Sequence, residues 1–394
     1  MLGPGVRILF TFVGGRGHFE PLVPVARAAE AAGHSVAFGC AVSMVPTVEA
    51  AGFDVFAMGG AASGAAERLP LRPLDRAREE RELRDRFARR AARYRMPRTL
   101  ALCSAWRPDL LVCEETDFGA ALAAERLGLP FTTVLVIAAG SFVRPEVVAG
   151  ALDALRAEQG LPLDPELEMQ SRYLVLSPFP RSYRDPANRL PVTAHSFRSS
   201  PLASADGPSP AWSSVRTGAP TVYFTLGTIF NRESGDLFTR VLEGLRELAG
   251  NVVVTVGHDI DPAELGPQPG NVHIERYIPQ TSVLPNCDLV VSHAGSGSVI
   301  GALAHGLPSV LIPIGADQPL NADRCADLGV ARVLDALDAT PEDVFSAATA
   351  VLEDHAYRRN AERLRDEIAA LPGLAHAVGL LERLAAEKRP IHSA

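Results

Sequence analysis

An α/β chain of two doubly wound, Rossmann-like domains is what this sequence predicts, and three observations predict it. Short apolar runs alternate with helix-period segments along nearly the whole length, the rhythm of parallel sheets with crossover helices. The runs are apolar throughout, as in strands covered on both faces. The rhythm breaks once, over residues 199–220, in a Ser/Pro/Gly/Ala stretch without periodicity that reads as a linker. At 394 residues the chain can bury more than one core. We place a first domain over 1–205, a linker over 206–220 and a second domain over 221–394, with its last helices able to pack back on the first.

In order, Val6 to Val13 reads as a buried strand. Phe19 to Ala32 reads as a helix with apolar positions at Leu22, Val25, Ala26 and Ala29, capped by Gly33. Strands follow at Ser35–Gly39 and Phe53–Met58. Leu74 to Tyr94 carries many arginines with acids between them and few apolar anchors (Leu83, Phe87, Tyr94). It reads as a solvated helix laced by i,i+4 ion pairs, with a lid over a ligand as the smaller alternative. Strand Asp109–Cys113, a helix to Leu127 capped by Gly128, strand Phe131–Ile137, a helix over Glu146–Glu158 and strand Tyr173–Leu176 complete the first half. The second half opens with strand Thr221–Leu226, helix Asp236–Leu248 and strands Asn251–Val256 and Val272–Ile274. Strand Leu289–Val291, a Gly-rich turn, a short helix ending at Gly306 and strand Val310–Ile314 follow, then helices to the C-terminus.

A net charge of −8 argues against nucleic acid as the main partner, since phosphate backbones need clustered positive charge. Lys388 is the only lysine, which removes Schiff-base chemistry and a P-loop lysine. The five cysteines are scattered without a C-x-x-C pair and read as buried thiols in a reducing cytoplasm. Val6–Val13 runs straight into Gly14-Gly15-Arg16-Gly17-His18 and is rejected as a signal peptide. Leu129–Val143 is too short and polar to span a bilayer.

The chain is organised around Ser292–Asn321. There a strand ends at Ser292-His293, small residues Gly295-Ser296-Gly297-Ser298 open a helix, and the next strand ends at Asp317-Gln318. Backbone N–H groups at such a turn stabilise an anion, and the hydroxyls of Ser296 and Ser298 and His293 add donors. A carboxylate beside an amide suits sugar hydroxyls, which both donate and accept. The bland reading is an ordinary βαβ unit with a tight turn. Earlier, His18 stands at the end of the first strand, where a neutral imidazole can accept a proton near neutral pH. Its bland reading is a helix cap. Gly15-x-Gly17 lacks the third glycine of a dinucleotide fingerprint, and Gly39-Cys40-Ala41 offers no acid for a ribose, so an NAD site is not expected.

Taken together, the spacing of His293, the small-residue turn and Asp317-Gln318 resembles the donor signature of the nucleotide-sugar glycosyltransferases that make plant and antibiotic glycosides. Gly17-His18, the acids at Glu114-Glu115, Gly227-Thr228 and Tyr277-Ile278-Pro279-Gln280 fall in the order of that family's other motifs. The resemblance implies a GT-B architecture, two domains facing across a cleft that holds the ligand. It implies inverting transfer of a sugar, with His18 as general base and Glu114, or second to it Glu115, as its partner acid. It places donor contacts at Gly17, Thr228, Tyr277, Ile278, Gln280, His293, Gly295, Ser296, Gly297, Ser298, Asp317 and Gln318. Acceptor contacts are expected in variable loops near Phe12, Met58, Phe87, Phe118 and Phe142, apolar enough for a polyketide-like aglycone. Relatives that use UDP-sugars commonly carry a glutamate where Gly301 stands, so a TDP-sugar is expected, a deoxysugar of the kind attached to antibiotics. Asp259-Ile260-Asp261 has the D-x-D shape of metal-dependent sugar transferases but reads as a loop and helix N-cap; no metal or cofactor is expected. The expected partners are the nucleotide sugar and a small-molecule acceptor, not nucleic acid or membrane, with a homodimer left open. The competing readings are a nucleotide-sugar epimerase on the same fold and a non-catalytic, transferase-like activator.

Overall fold

The computed structural model describes residues 5–60, 69–199, 218–227 and 233–393. The chain divides into two compact units. One comprises residues 1–64, 77–201 and 371–394, the other 65–76 and 202–370.

The first unit is built on β1 (Arg7–Thr11), α1 (Arg16–Phe19), α2 (Val23–Ala31), β2 (Ser35–Cys40), α3 (Val45–Ala50) and β3 (Asp54–Ala57). One long helical stretch follows, α4 (Arg76–Glu82), a π-helical segment (Leu83–Ala91) and α5 (Ala92–Trp106). Then come β4 (Leu110–Glu114), α6 (Phe118–Leu127), β5 (Phe131–Val134), α7 (Pro145–Glu158), β6 (Leu174–Ser177) and β7 (Ala194–Ser196). The strands form one parallel sheet in the order β3-β2-β1-β4-β5-β6-β7. Successive side chains of a strand point to opposite faces. Ile8 and Phe10 therefore join a core under α2, while Leu9 joins a second core under α5, α6 and α7.

In the second unit lie β8 (Thr221–Thr225), α8 (Leu237–Arg246), β9 (Asn251–Thr255), β10 (Val272–Glu275) and α9 (Gln280–Val283). Next come β11 (Leu289–Ser292), α10 (Ser296–Ala304), β12 (Ser309–Leu311), α11 (Gln318–Asp327), β13 (Ala331–Val333), α12 (Pro341–Glu353) and α13 (His355–Ala370). Its sheet is parallel in the order β10-β9-β8-β11-β12-β13. The last helix, α14 (Leu374–Glu387), belongs to the first unit, where Ala377, Leu381 and Leu384 pack into the α2 core.

Two parallel-sheet α/β domains are thus present, as the apolar rhythm predicts. The differences have local causes. Of the helix expected over Phe19–Ala32 only Val23–Ala31 forms, as α2, and Phe19 ends α1; Pro21 and Pro24 withhold N–H groups, and α2 starts with a proline in its first turn. β7 and β13 are three-residue strands, too short to show a period. The helix expected over Leu74–Tyr94 runs on to Trp106 through Pro97, and its ion pairs include Asp85–Arg89 at 2.9 Å.

Candidate active site

In the first sheet the chain order reverses between β1 and β4, and α/β sheets place ligands outside the strand C-termini at such a switch point. His18 stands in α1, the first element after β1, and Glu114 is the last residue of β4. Pairing of Thr11 with Cys113 brings the two strand ends level. His18 Nδ1 lies 3.4 Å from Glu114 Oε2. The Glu114 side chain is wholly buried, whereas that of His18 keeps 21% exposure, enough to reach a solute.

Three donors hold the carboxylate. Oε1 accepts from the Val13 N–H at 3.1 Å, Oε2 accepts from the Thr116 N–H at 2.7 Å, and the Thr116 hydroxyl donates at 2.7 Å. Burial pushes the Glu114 pKa up, but His18 and the Thr116 donors outweigh it and hold the group below the ordinary carboxylate value. A buried negative charge beside an imidazole fixes its orientation and stabilises its protonated form. The ring itself is sandwiched. Gly14 takes φ +102°, and a Cβ there would stand 2.7 Å from His18 Cδ2. On another side Phe87 lies 5.9 Å away by ring centroids, at an interplanar angle of 22°. Phe87 stands in the π-helical segment, whose widened turns often mark functional sites.

Other expected residues of this half fall elsewhere. Glu115 is turned away from His18, because neighbouring residues at a strand end point to opposite sides. Its carboxylate accepts from the Val136 and Ile137 N–H groups and so pins the loop after β5. Burial pushes its pKa up to about 7, against the opposing pull of Arg184 and the two N–H groups. It is a loop anchor, not the partner of His18. Asp117 caps α6 and forms a buried ion pair with Arg95, bonded at 2.5 and 3.0 Å. Phe12 and Phe118 are core residues, 1% and 0% exposed, and Met58 is buried against Gly39. Phe87 and Phe142 keep partial exposure. Gly17 stands in α1, where a Cβ would meet nothing within 4 Å; the glycine that the ring requires is Gly14. Thr116 was not anticipated, although a threonine two residues after an acid is a turn signal.

The second sheet has its own switch point between β8 and β11, and Gly227 and His293 stand at it. Added Cβ atoms at Gly227 and Gly295 would stand 2.6 and 2.5 Å from His293 Nε2, so these two glycines make room for the imidazole. His293 is buried, and burial pushes its pKa down to about 4 against a hydrogen bond to the Thr225 backbone. It is therefore a neutral donor near pH 7. Gly297 is exposed in the first turn of α10, and a Cβ added there would meet nothing outside its own helix within 4 Å.

Ser296 donates its hydroxyl hydrogen to Asp317 at 2.8 Å, joining the Gly-rich turn to the loop after β12. Ser298 is bonded by Gln280 at 3.2 Å. Gln318 is 2% exposed, and its side-chain oxygen accepts from the Ile314 and Gly315 N–H groups. That oxygen therefore holds the loop instead of facing a sugar. Tyr277 is 46% exposed and stacks on His258 at 5.2 Å, while Ile278 packs against the core beside Leu284. At Gly301 a Cβ would stand 2.9 Å from Gln280 Oε1 and 3.3 Å from Leu284 Cδ1, so packing alone gives a reason for glycine there. Thr228 lies outside the described residues. Asp261 is committed to a capping box with Glu264 and to Arg276 at 3.0 Å, the N-cap expected of the D-x-D stretch. Among the described residues no group of three His, Cys, Asp or Glu side chains could hold a metal ion. All five cysteines are free and buried, and no single described helix is long and apolar enough to cross a membrane.

Two parallel-sheet α/β domains, one with a histidine against a buried glutamate at its switch point and the other with a Gly-rich turn bonded to a carboxylate, match the architecture of GT-B glycosyltransferases. Known proteins agree. The erythromycin biosynthesis protein CIII-like C-terminal domain matches residues 239–384. Over 424 residues the chain is 30% identical to 4'-demethylrebeccamycin synthase of Lentzea aerocolonigenes, covering 96% of this chain and 100% of that one. Tylactone mycaminosyltransferase of Streptomyces fradiae is 30% identical over 436 residues, 98% of this chain and 94% of its own. The solved structure of spinosyn rhamnosyltransferase SpnG with thymidine diphosphate superposes with a TM-score of 0.79 at 25% identity, covering 95% of this chain and 100% of that one. The chain belongs to the family of antibiotic glycosyltransferases.

Proposed function

We propose that this chain moves a deoxysugar from thymidine diphosphate to a hydroxyl of a lipophilic polyketide-like acceptor, with inversion and without a metal ion. The observation that carries the chemistry is the ionised, buried Glu114 set against the partly exposed His18. His18 takes the acceptor proton as the oxygen attacks the anomeric carbon. The bond to the diphosphate breaks as the new one forms, and attack opposite the leaving group inverts the centre. Glu114 stabilises the imidazolium that results, a contribution of the order of 10²–10⁴-fold for a positioned base. N–H groups at the start of α10 receive the charge on the departing diphosphate, which supplies without a divalent ion what a metal would otherwise give. The relative named for sugar transfer to tylactone supports the acceptor class, and the thymidine diphosphate complex of SpnG supports the nucleotide.

Nucleotide choice rests on Gly301. No carboxylate stands there to accept from a ribose 2′-hydroxyl, and an unmade bond to a buried polar group costs about 1–3 kcal/mol. The test is calorimetric competition between TDP and UDP for the free enzyme, with TDP expected tighter by about ten-fold. Equal affinities, or tighter UDP, overturn the assignment.

A further inference from the structure

Asn321 lies in the first turn of α11, four residues after Asp317, and is 0% exposed. Its side-chain nitrogen donates to the Ala294 carbonyl at 3.0 Å, to the Ser296 hydroxyl at 3.1 Å and to Asp317 Oδ2 at 2.9 Å. An amide nitrogen has two hydrogens, so three acceptors share them. Ser296 donates to the same Asp317 oxygen, which closes a triangle of side chains. The triangle joins two separate loops, one after β11 and one after β12.

Each of those loops contains an alanine in the left-handed region, Ala294 at φ +65° and Ala316 at φ +53°. A Cβ makes that conformation unfavourable, and only glycine adopts it freely. Strained backbone persists where the surroundings hold it. At Ala294 the holding group on the carbonyl side is Asn321, while the Ala294 N–H donates to the Ser292 hydroxyl at a longer 3.4 Å. Beyond Ala316, Asn321 grips Asp317, and Gln318 binds the preceding N–H groups.

We propose that Asn321 is a positioning residue of the donor site. It fixes the Gly295–Ser298 turn and the Asp317 carboxylate in one arrangement before a nucleotide sugar arrives. The inference rests on the donor reading of this turn given above. Without Asn321, Ser296 and Asp317 can still bond each other, but Ala294 is released to the commoner right-handed or extended backbone. The N–H groups that follow it then lose their common aim, and apparent affinity falls by the fraction of molecules no longer competent.

The experiment compares wild type, Asn321→Ala, Ala294→Gly and the double variant by calorimetric titration with thymidine diphosphate. Urea unfolding and amide exchange over residues 294–298 accompany it. Asn321→Ala is expected to weaken TDP at least ten-fold and to speed exchange in the turn. Ala294→Gly alone is expected within about two-fold of wild type, because glycine holds the left-handed turn without help. In the double variant it should recover a part of the lost affinity, at least about three-fold, a rescue that a general loss of stability would not give. If Asn321→Ala unfolds, Asn321→Ser, which keeps one short donor, enters the same comparison. TDP affinity within two-fold of wild type in a folded Asn321 variant, or no rescue by Ala294→Gly, overturns the proposal. Failure of the wild type to bind TDP would instead remove the donor reading, and this inference with it.

Discussion

Thr116 grips Glu114 twice, with its backbone N–H and its hydroxyl, each at 2.7 Å, and so aims the carboxylate at His18. The hydroxyl also lies 3.4 Å from His18 Nδ1. Thr116→Val keeps the shape and the backbone bond but loses the hydroxyl. Turnover should fall about ten-fold, the scale of one hydrogen bond to a charged group. His18→Ala should lower it by about 10²–10⁴. Steady-state rates at saturating donor measure both, and an unchanged rate for Thr116→Val would detach the threonine from catalysis.

Glu115 makes a prediction of stability against pH. Its folded pKa, pushed up to about 7, stands above the ordinary 4.5. The folded state therefore binds more protons between those values, and the contribution present below 4.5 is lost as pH rises through about 7. Glu115→Gln keeps an oxygen for Val136 and Ile137 and cannot ionise. Its melting temperature relative to wild type should rise steadily from pH 4.5 to 7 and then level off; a flat difference would contradict the raised pKa.

His293 gives the opposite slope. Its folded pKa of about 4 lies below the ordinary 6.5, so the unfolded chain binds the extra proton. Stability from this group is lost as pH falls from 6.5 towards 4. Urea midpoints of wild type and His293→Gln at several pH values should converge as the solution is acidified through that window. Parallel curves would mean that His293 is not held neutral.

The two glycines of the α10 turn should respond differently. Gly295→Ala puts a Cβ 2.5 Å from the His293 ring and should destabilise the second domain. A Cβ at Gly297 would meet no atom outside its own helix within 4 Å, so Gly297→Ala should fold as wild type. If a diphosphate lies against the Gly297 N–H, the same substitution should still weaken TDP, by about ten-fold. Thermal scans and TDP titrations on both variants separate packing from ligand contact, and an unaffected Gly297→Ala would move the phosphates elsewhere.

Excess chelator should leave sugar transfer unchanged. Asp261, the nearest thing to a metal ligand in the D-x-D stretch, is occupied by the Ala263 N–H and by Arg276, both at 3.0 Å. Loss of activity with chelator, restored by a divalent cation, would reinstate that stretch as a metal site.

What the sequence determined by itself was whatever depends on local pattern. Continuous apolar runs specify parallel strands, and a Gly-rich turn between strand and helix exposes N–H groups wherever it occurs. Gly17-His18 after a strand and the small residues after His293 were therefore legible. Tertiary structure decided the partners. Glu114 and Glu115 are adjacent and alike in sequence; only the pairing of β4 with β1, and the alternation of side chains at the strand end, set one beside His18 and the other on the β5 loop. Phe12 and Phe118 are loop-adjacent aromatics in sequence and core residues in fact, because burial is a property of packed layers and not of position along a strand. Gln318 reads as a ligand group until the loop folds back and takes its oxygen. Asn321 reads as an ordinary helix residue until β11 and β12 lie side by side and bring Ala294, Ser296 and Asp317 within reach of one amide. Hydrogen bonds between distant residues leave no period in the chain, so only the folded sheet could reveal them.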